Sequence, residues 1–128
     1  MGDPALFKAI VPQFVVPDVV STAEYYRDTL GFLILGYFLD PPVFAMVRRG
    51  EVEIHFGKAD TGALPHTNES LRRGLGSDAY IIVSDIEGLH AELAAAGANI
   101  LVPPTKRVYG SIEFEILDCD GHKVVFGD

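Results

Sequence analysis

The 128-residue chain has no tryptophan and a single cysteine, Cys119. One cysteine excludes an internal disulfide and any zinc site built on a cysteine cluster. With no tryptophan, a flat wall for a ring-bearing ligand has to come from the 8 Phe and 5 Tyr residues. No stretch approaches the roughly 20 consecutive apolar residues of a membrane helix. Residues 1–8 lack a basic segment followed by an apolar run, so no export leader is expected and a cytoplasmic location is. Positive charge is scarce as well, with 10 Lys and Arg against 18 Asp and Glu and a formal net charge of −8. Such a chain repels nucleic acid and anionic lipid and attracts cations. Neither nucleic acid nor membrane is an expected partner.

What is present is the composition of a globular protein, 48% hydrophobic and 22% charged, at the length of one domain. Its punctuation occurs twice. Val11 to Val16 reads as a strand ending at Pro17-Asp18, and Ser21-Thr22-Ala23-Glu24 reads as a capping box opening a helix. Ala23, Tyr26 and Leu30 recur at helical spacing before a stop at Gly31. Strand-like segments follow at Phe32 to Phe38, Phe44 to Arg49 and Glu51 to Phe56, separated by Asp40-Pro41-Pro42 and Arg49-Gly50.

The series then restarts. Ala79 to Val83 reads as a strand, Ser84-Asp85 as a cap, and Leu89, Leu93 and Ala96 as a helix stopping at Gly97. Strands are expected at Asn99 to Val102, Ile112 to Leu117 and Lys123 to Phe126, with Asp118-Cys119-Asp120-Gly121 as the last turn. Aligning Val16-Pro17-Asp18-Val19 on Val83-Ser84-Asp85-Ile86 brings Gly31 within one residue of Gly97. The expected fold is therefore α+β: one domain over 1–128 made of two tandem βαβββ modules, about 9–58 and 78–128, joined by a linker over about 59–77. Each helix buries its apolar stripe on one face of its sheet, which predicts a cup-shaped mixed sheet with helices on the outer face.

Alternation along the strands puts Val52, Ile54 and Phe56 under the first helix and turns Glu53 and His55 to the open face. In the second half, Ile112, Phe114 and Ile116 face the helix and Glu113 and Glu115 face the cup. Phe38, Phe44, Tyr80 and Tyr109 stand near strand ends, where they can wall a pocket for an aromatic ligand. These eight residues are the candidate ligand contacts. His90, on the second helix, and His122, in a turn, are expected to be solvated.

The order and spacing of Val16-Pro17-Asp18-Val19, Ser21 to Tyr26, Leu30-Gly31-Phe32, Arg48 to Phe56, and Tyr109 through Asp128 resemble the vicinal-oxygen-chelate superfamily, which includes glyoxalase I, extradiol dioxygenases and bleomycin resistance proteins. In its metal-using members, the resemblance implies ligands from the first and last strands of each module. Here those positions read Gln13, His55, Tyr80 and, depending on register, Val125 or Phe126. Only Gln13 and His55 are apt ligands, and a divalent ion ordinarily takes at least three. No cofactor and no catalytic residue is expected on that basis. The resemblance is strongest to the metal-free bleomycin resistance branch, which implies a homodimer that sequesters a cationic or aromatic small molecule, a bleomycin-type antibiotic, and so confers resistance. The alternative is a metal-dependent, glyoxalase-like lyase or isomerase, or a dioxygenase.

Overall fold

A computed structural model of the chain describes residues 2–64 and 66–128; Met1 and Pro65 lie outside the described residues. Its elements run β1 (Gln13–Val16), α1 (Val19–Asp28), β2 (Leu33–Phe38), β3 (Phe44–Arg49), β4 (Val52–Lys58), α2 (Asn68–Leu71), β5 (Ala79–Ile82), α3 (Ile86–Ala95), β6 (Asn99–Lys106), β7 (Ile112–Leu117) and β8 (Lys123–Gly127). Apart from α2 in the linker, each half has the order strand, helix, three strands. The strands form two four-stranded sheets, β1-β4-β3-β2 and β5-β8-β7-β6, in which the first strand of each module pairs in parallel with the last.

Asp18 and Asp85, which the internal alignment superposes, cap the two long helices. The Asp18 carboxylate accepts from the N–H groups of Val20 and Ser21 at 3.0 and 3.2 Å, and Asp85 accepts from Gly88 at 2.9 Å. The capping box expected at Ser21 is displaced: α1 begins three residues earlier on Asp18, because its carboxylate can take both orphan N–H groups, and the Ser21 hydroxyl donates to it as well. Gly31 and Gly97 end the helices with φ of 75° and 89°, a region open to glycine and strained for other residues. The sixth strand is longer than expected. The expected strand stops at Val102, yet β6 continues through Pro103-Pro104 to Lys106, which proline tolerates because this is an edge strand with no ladder partner beyond β7.

Phe14, Val16, Val47, Ile54 and Phe56 from sheet one join Phe114, Ile116, Val124 and Phe126 from sheet two in one contiguous core with residues of both long helices. Each fully buried large side chain here contributes roughly 1.5–3 kcal/mol. Polar contacts complete the seam. Tyr26 Oη donates to Asp118 Oδ2 at 2.7 Å, Thr22 Oγ1 donates to Asp120 Oδ2, and the Arg49 guanidinium donates to Glu92 and to the Leu30 carbonyl. His122 is buried rather than solvated; its ring stacks on Phe14 at 4.4 Å and contacts Asp118. His90 is half-buried, edge-on to Phe114. All these seam contacts use helices, turns and strand positions on the helix-bearing sides of the sheets, which leaves both opposite faces open.

Candidate functional site: two open sheet faces

Strand register resolves the open face of sheet one into rows. Glu53, Arg48 and Leu33 lie side by side; then Gln13, His55, Met46 and Gly36; then Val15, Gly57, Phe44 and Phe38. Three of the four candidates here are in contact. His55 Nε2 lies 2.5 Å from Glu53 Oε2, and Phe44 meets the His55 ring edge-on at 5.2 Å. Arg48 Nη2 holds the other Glu53 oxygen at 3.1 Å. The His55 and Arg48 bonds keep the Glu53 carboxyl below its ordinary range. Phe38 is exposed at the β2 end of the Phe44 row.

On sheet two the corresponding rows are Tyr80, Val125, Glu115 and Val102, then Ile82, Gly127, Glu113 and Thr105. The four candidates of this half converge. Glu113, 4% exposed, accepts from Tyr80 Oη at 2.5 Å, from Tyr109 Oη at 2.7 Å and from Arg107 Nε at 3.3 Å. Glu115 accepts from Arg107 Nη2 at 2.9 Å and lies 3.3 Å from Lys123 Nζ. Burial works to raise the Glu113 pKa, but the three donors outweigh it and hold the carboxyl below its ordinary range. The same bonds push the Tyr80 and Tyr109 phenols upward, so both keep their protons. Lys123, 3% exposed, also pairs with Glu69 of α2 at 2.9 Å, which tethers the linker to the end of this sheet. Burial alone would lower its pKa, but Glu69 and Glu115 raise it and keep it charged.

The two halves share one packing device. A Cβ on Gly57 would run into the Gln13 amide, and a Cβ on Gly127 would run into the Tyr80 phenol. In each module the first strand's outward side chain thus lies over a glycine of the last strand. Sequence reasoning selected Gln13 and Tyr80 but missed these glycines, and it missed Arg48, Arg107 and Lys123, the cations that pair the acidic candidates. Their only signal was location on or beside the same strands.

The two clusters do not meet within one chain: among the described residues no hydrogen bond, ion pair or ring contact joins one open face to the other. The larger clefts lie elsewhere, on the module seam. One, of about 620 Å³, runs between Arg49 to Val52 and Ile81 to Asp85; the other, of about 760 Å³, runs between β1, the linker and the β7–β8 turn. Neither is lined by any of the eight candidates, although Gln13 borders the second. Both lie where the two modules meet.

The model of the Glyoxalase/Bleomycin resistance protein/Dioxygenase superfamily matches residues 9–126. The chain belongs to this superfamily. No curated protein matches it. Among solved structures it is similar to the bleomycin-binding protein of bleomycin-producing Streptomyces verticillus complexed with copper(II)-bleomycin, with 26% identity and a TM-score of 0.72 over 96% of this chain and 97% of that one. It is also similar to TioX from Micromonospora sp. ML1 (18%, TM-score 0.74, 94% and 98% covered) and to a glyoxalase-related enzyme from Clostridium phytofermentans (16%, 0.75, 96% and 95%). At those identities the last two speak for the fold alone.

The superfamily includes metal-using members, so the donor set has to be tested against a divalent ion. Register pairs Gln13 with His55 and Tyr80 with Val125; Phe126 pairs with Ile81 and faces the helix. The fourth position is thus Val125, which has no donor atom. Tyr80 directs its hydroxyl proton to Glu113, whose oxygens already serve three donors. Gln13 and His55 remain, fewer than the three protein ligands of an ordinary divalent site, so the residues do not fit. Asp118, Cys119 and Asp120 also bring donor atoms within 4.8 Å of one another. There Asp118 is occupied by Tyr26 and His122, and partial burial with Asp120 and Asp118 nearby pushes the Cys119 thiol up to about 12. That trio ties the seam together and is no better suited to a metal.

Proposed function

We propose that the protein sequesters a cationic, aromatic small molecule of bleomycin type, without a metal cofactor and without altering the ligand, and so confers resistance to it. The observation that carries this reading is the character of the open faces: Phe44 against His55 on one, and Tyr80 and Tyr109 on the Glu113 carboxylate on the other. Rings and carboxylates suit a planar cation, and the net charge of −8 draws it in. The likeness to a copper(II)-bleomycin-binding protein at 26% identity supports the same ligand class.

The working form on this reading is a homodimer in the cytoplasm. Each open face lacks an opposing wall, and β1 and β5 are edge strands with Val15 61% and Ile82 74% exposed. Such edges invite pairing. Sheet one of one copy beside sheet two of another would close two pockets, each combining both clusters. Titration calorimetry with metal-free and copper(II)-bleomycin tests the ligand: micromolar binding at one site per chain is expected, and no heat at micromolar protein sinks the assignment.

A second reading, a metal-dependent lyase or isomerase, draws on the Glu53–His55 contact, since ligating histidines commonly give their other ring nitrogen to a carboxylate. Elemental analysis of untagged protein decides between the two. Near-stoichiometric zinc, nickel, manganese or iron would favour the enzyme.

A further inference from the structure

One cation on the open face of sheet two is placed differently from the rest. Arg107 follows β6 in a tight loop closed by Arg107 N–H to the Ser111 carbonyl at 2.8 Å and Gly110 N–H to the Arg107 carbonyl at 2.9 Å. The next residues, Val108 and Tyr109, are exposed, and the Tyr109 hydroxyl reaches back to Glu113. The Arg107 side chain nevertheless folds back over the sheet. Its guanidinium spans Glu113 and Glu115, two positions apart on the same strand face, with Nε 3.3 Å from one carboxylate and Nη2 2.9 Å from the other.

The bed under it is rigid. Tyr80 and Tyr109 orient Glu113, and Lys123, itself tied to Glu69, orients Glu115. Two carboxylates on positions one strand repeat apart, about 7 Å along the backbone, present acceptors that suit a planar fork of N–H donors better than a compact ammonium group. The charges sharpen this. Glu69, Glu113 and Glu115 face Arg107 and Lys123, three negative charges against two positive. If Arg107 leaves, three carboxylates face a single lysine, and the buried Glu113 keeps only its two tyrosine hydroxyls. That arrangement is costly unless another cation enters.

We propose that Arg107 is an intramolecular stand-in for the ligand: the slot between Glu113 and Glu115 takes a guanidinium or amidinium group, and Arg107 sets affinity and selectivity by competing for it. The inference rests on the reading of this face as part of the ligand site. A ligand that brings such a cation exchanges one guanidinium for another and keeps every carboxylate paired. A neutral or anionic compound can enter only by leaving them unpaired, so the slot rejects it. Arg107 reaches the slot from a surface loop, whereas Lys123 is buried on a strand and latched by Glu69.

The test is titration of the full chain with n-butylguanidine, a guanidinium on a four-carbon stem, and with n-butylamine as the ammonium control of equal charge. Arg107→Ala is expected to bind n-butylguanidine at least about tenfold more tightly than the wild type, with a smaller gain for n-butylamine. The gain is expected to vanish in Arg107→Ala/Glu115→Gln. No gain, an equal gain for both compounds, or a gain that survives Glu115→Gln overturns the proposal. Arg107→Gln carries the same expectation should the alanine variant fail to fold. A parallel titration of the wild type with copper(II)-bleomycin separates the two readings. Bleomycin binding without a butylguanidine gain sinks only the role of Arg107, and a butylguanidine gain without bleomycin binding sinks only the drug.

Discussion

Tyr26 of α1 donates its hydroxyl to Asp118 at the end of β7 across 2.7 Å, and both residues are buried. The bond ties the first module to the last hairpin of the second. Asp118 also accepts from the backbone N–H groups of Asp120 and His122 at 2.9 Å and lies beside the His122 ring. Removing one donor leaves a buried carboxylate short of a partner. Tyr26→Phe is therefore expected to destabilise the fold by about 1–3 kcal/mol, read from chemical denaturation. A loss below about 0.5 kcal/mol would mean that water reaches the seam.

The same site gives stability a pH dependence. Burial lowers the His122 pKa, but the Asp118 bond and charge outweigh it and raise the group above 6.5. Its contribution is thus fully present below 6.5 and is lost as pH rises through the raised folded value. Burial raises the Asp118 pKa, but His122 and Tyr26 outweigh that and hold it below 3.8, so its contribution is present above 3.8 and is lost as pH falls through the lower folded value. The pair is most stabilising between about 4 and 6.5. Melting temperature is expected to fall on the alkaline side of that window, and His122→Gln is expected to flatten the fall. An unchanged alkaline limb in the variant would assign it to another group.

Much of this arrangement was legible because it is local. Asp85, Gly31 and Gly97, and the alternation in β4 and β7 announce helix ends and open faces from neighbouring residues alone, whereas the start of α1 is expected three residues late, at Ser21. Long-range pairing is another matter. Whether Val125 or Phe126 fills the fourth position depends on parallel register with β5, and His122 looks solvated until Phe14 is laid against it. Arg107 is missed because nothing near it in sequence says that its side chain crosses to Glu115. The expected sixth strand stops at Val102, and its extension through Pro103-Pro104 depends on edge position, which is a property of the sheet.

The dimer reading makes a direct prediction. Ile82 projects from the open face of β5, 74% exposed, beside Gly127. Ile82→Glu buries nothing within one chain and is expected to change monomer stability by less than about 0.5 kcal/mol. Sedimentation is expected to show a dimer for the wild type and a monomer for the variant, with ligand binding lost together with dimerisation. A monomeric wild type that still binds would sink the shared pocket.

Phe44 tests the aromatic wall. Its ring lies against His55 on the open face and not in the core, so Phe44→Ala removes contact area for a ligand while the residues under the helix keep their packing. Affinity for copper(II)-bleomycin is expected to fall about tenfold or more, equivalent to about 1.4 kcal/mol or above. Calorimetry reads the loss. Unchanged affinity would move the ligand off sheet one.

The glycine under Tyr80 yields the last prediction. A methyl group on Gly127 has no room beneath the phenol, so Gly127→Ala must push the Tyr80 ring outward; Tyr80 is 48% exposed and can move. The expected stability cost is small, about 1 kcal/mol or less. The local electrostatic effect is larger, because Glu113 loses one of its three side-chain donors while Tyr80 loses the carboxylate that raises its pKa. Ultraviolet titration is expected to show one tyrosine moving back toward 10. If Glu113 needs Tyr80 to hold its geometry for a cation, ligand affinity falls together with that spectral change; a shifted tyrosine with full affinity would leave Tyr109 and Arg107 as the groups that orient the carboxylate.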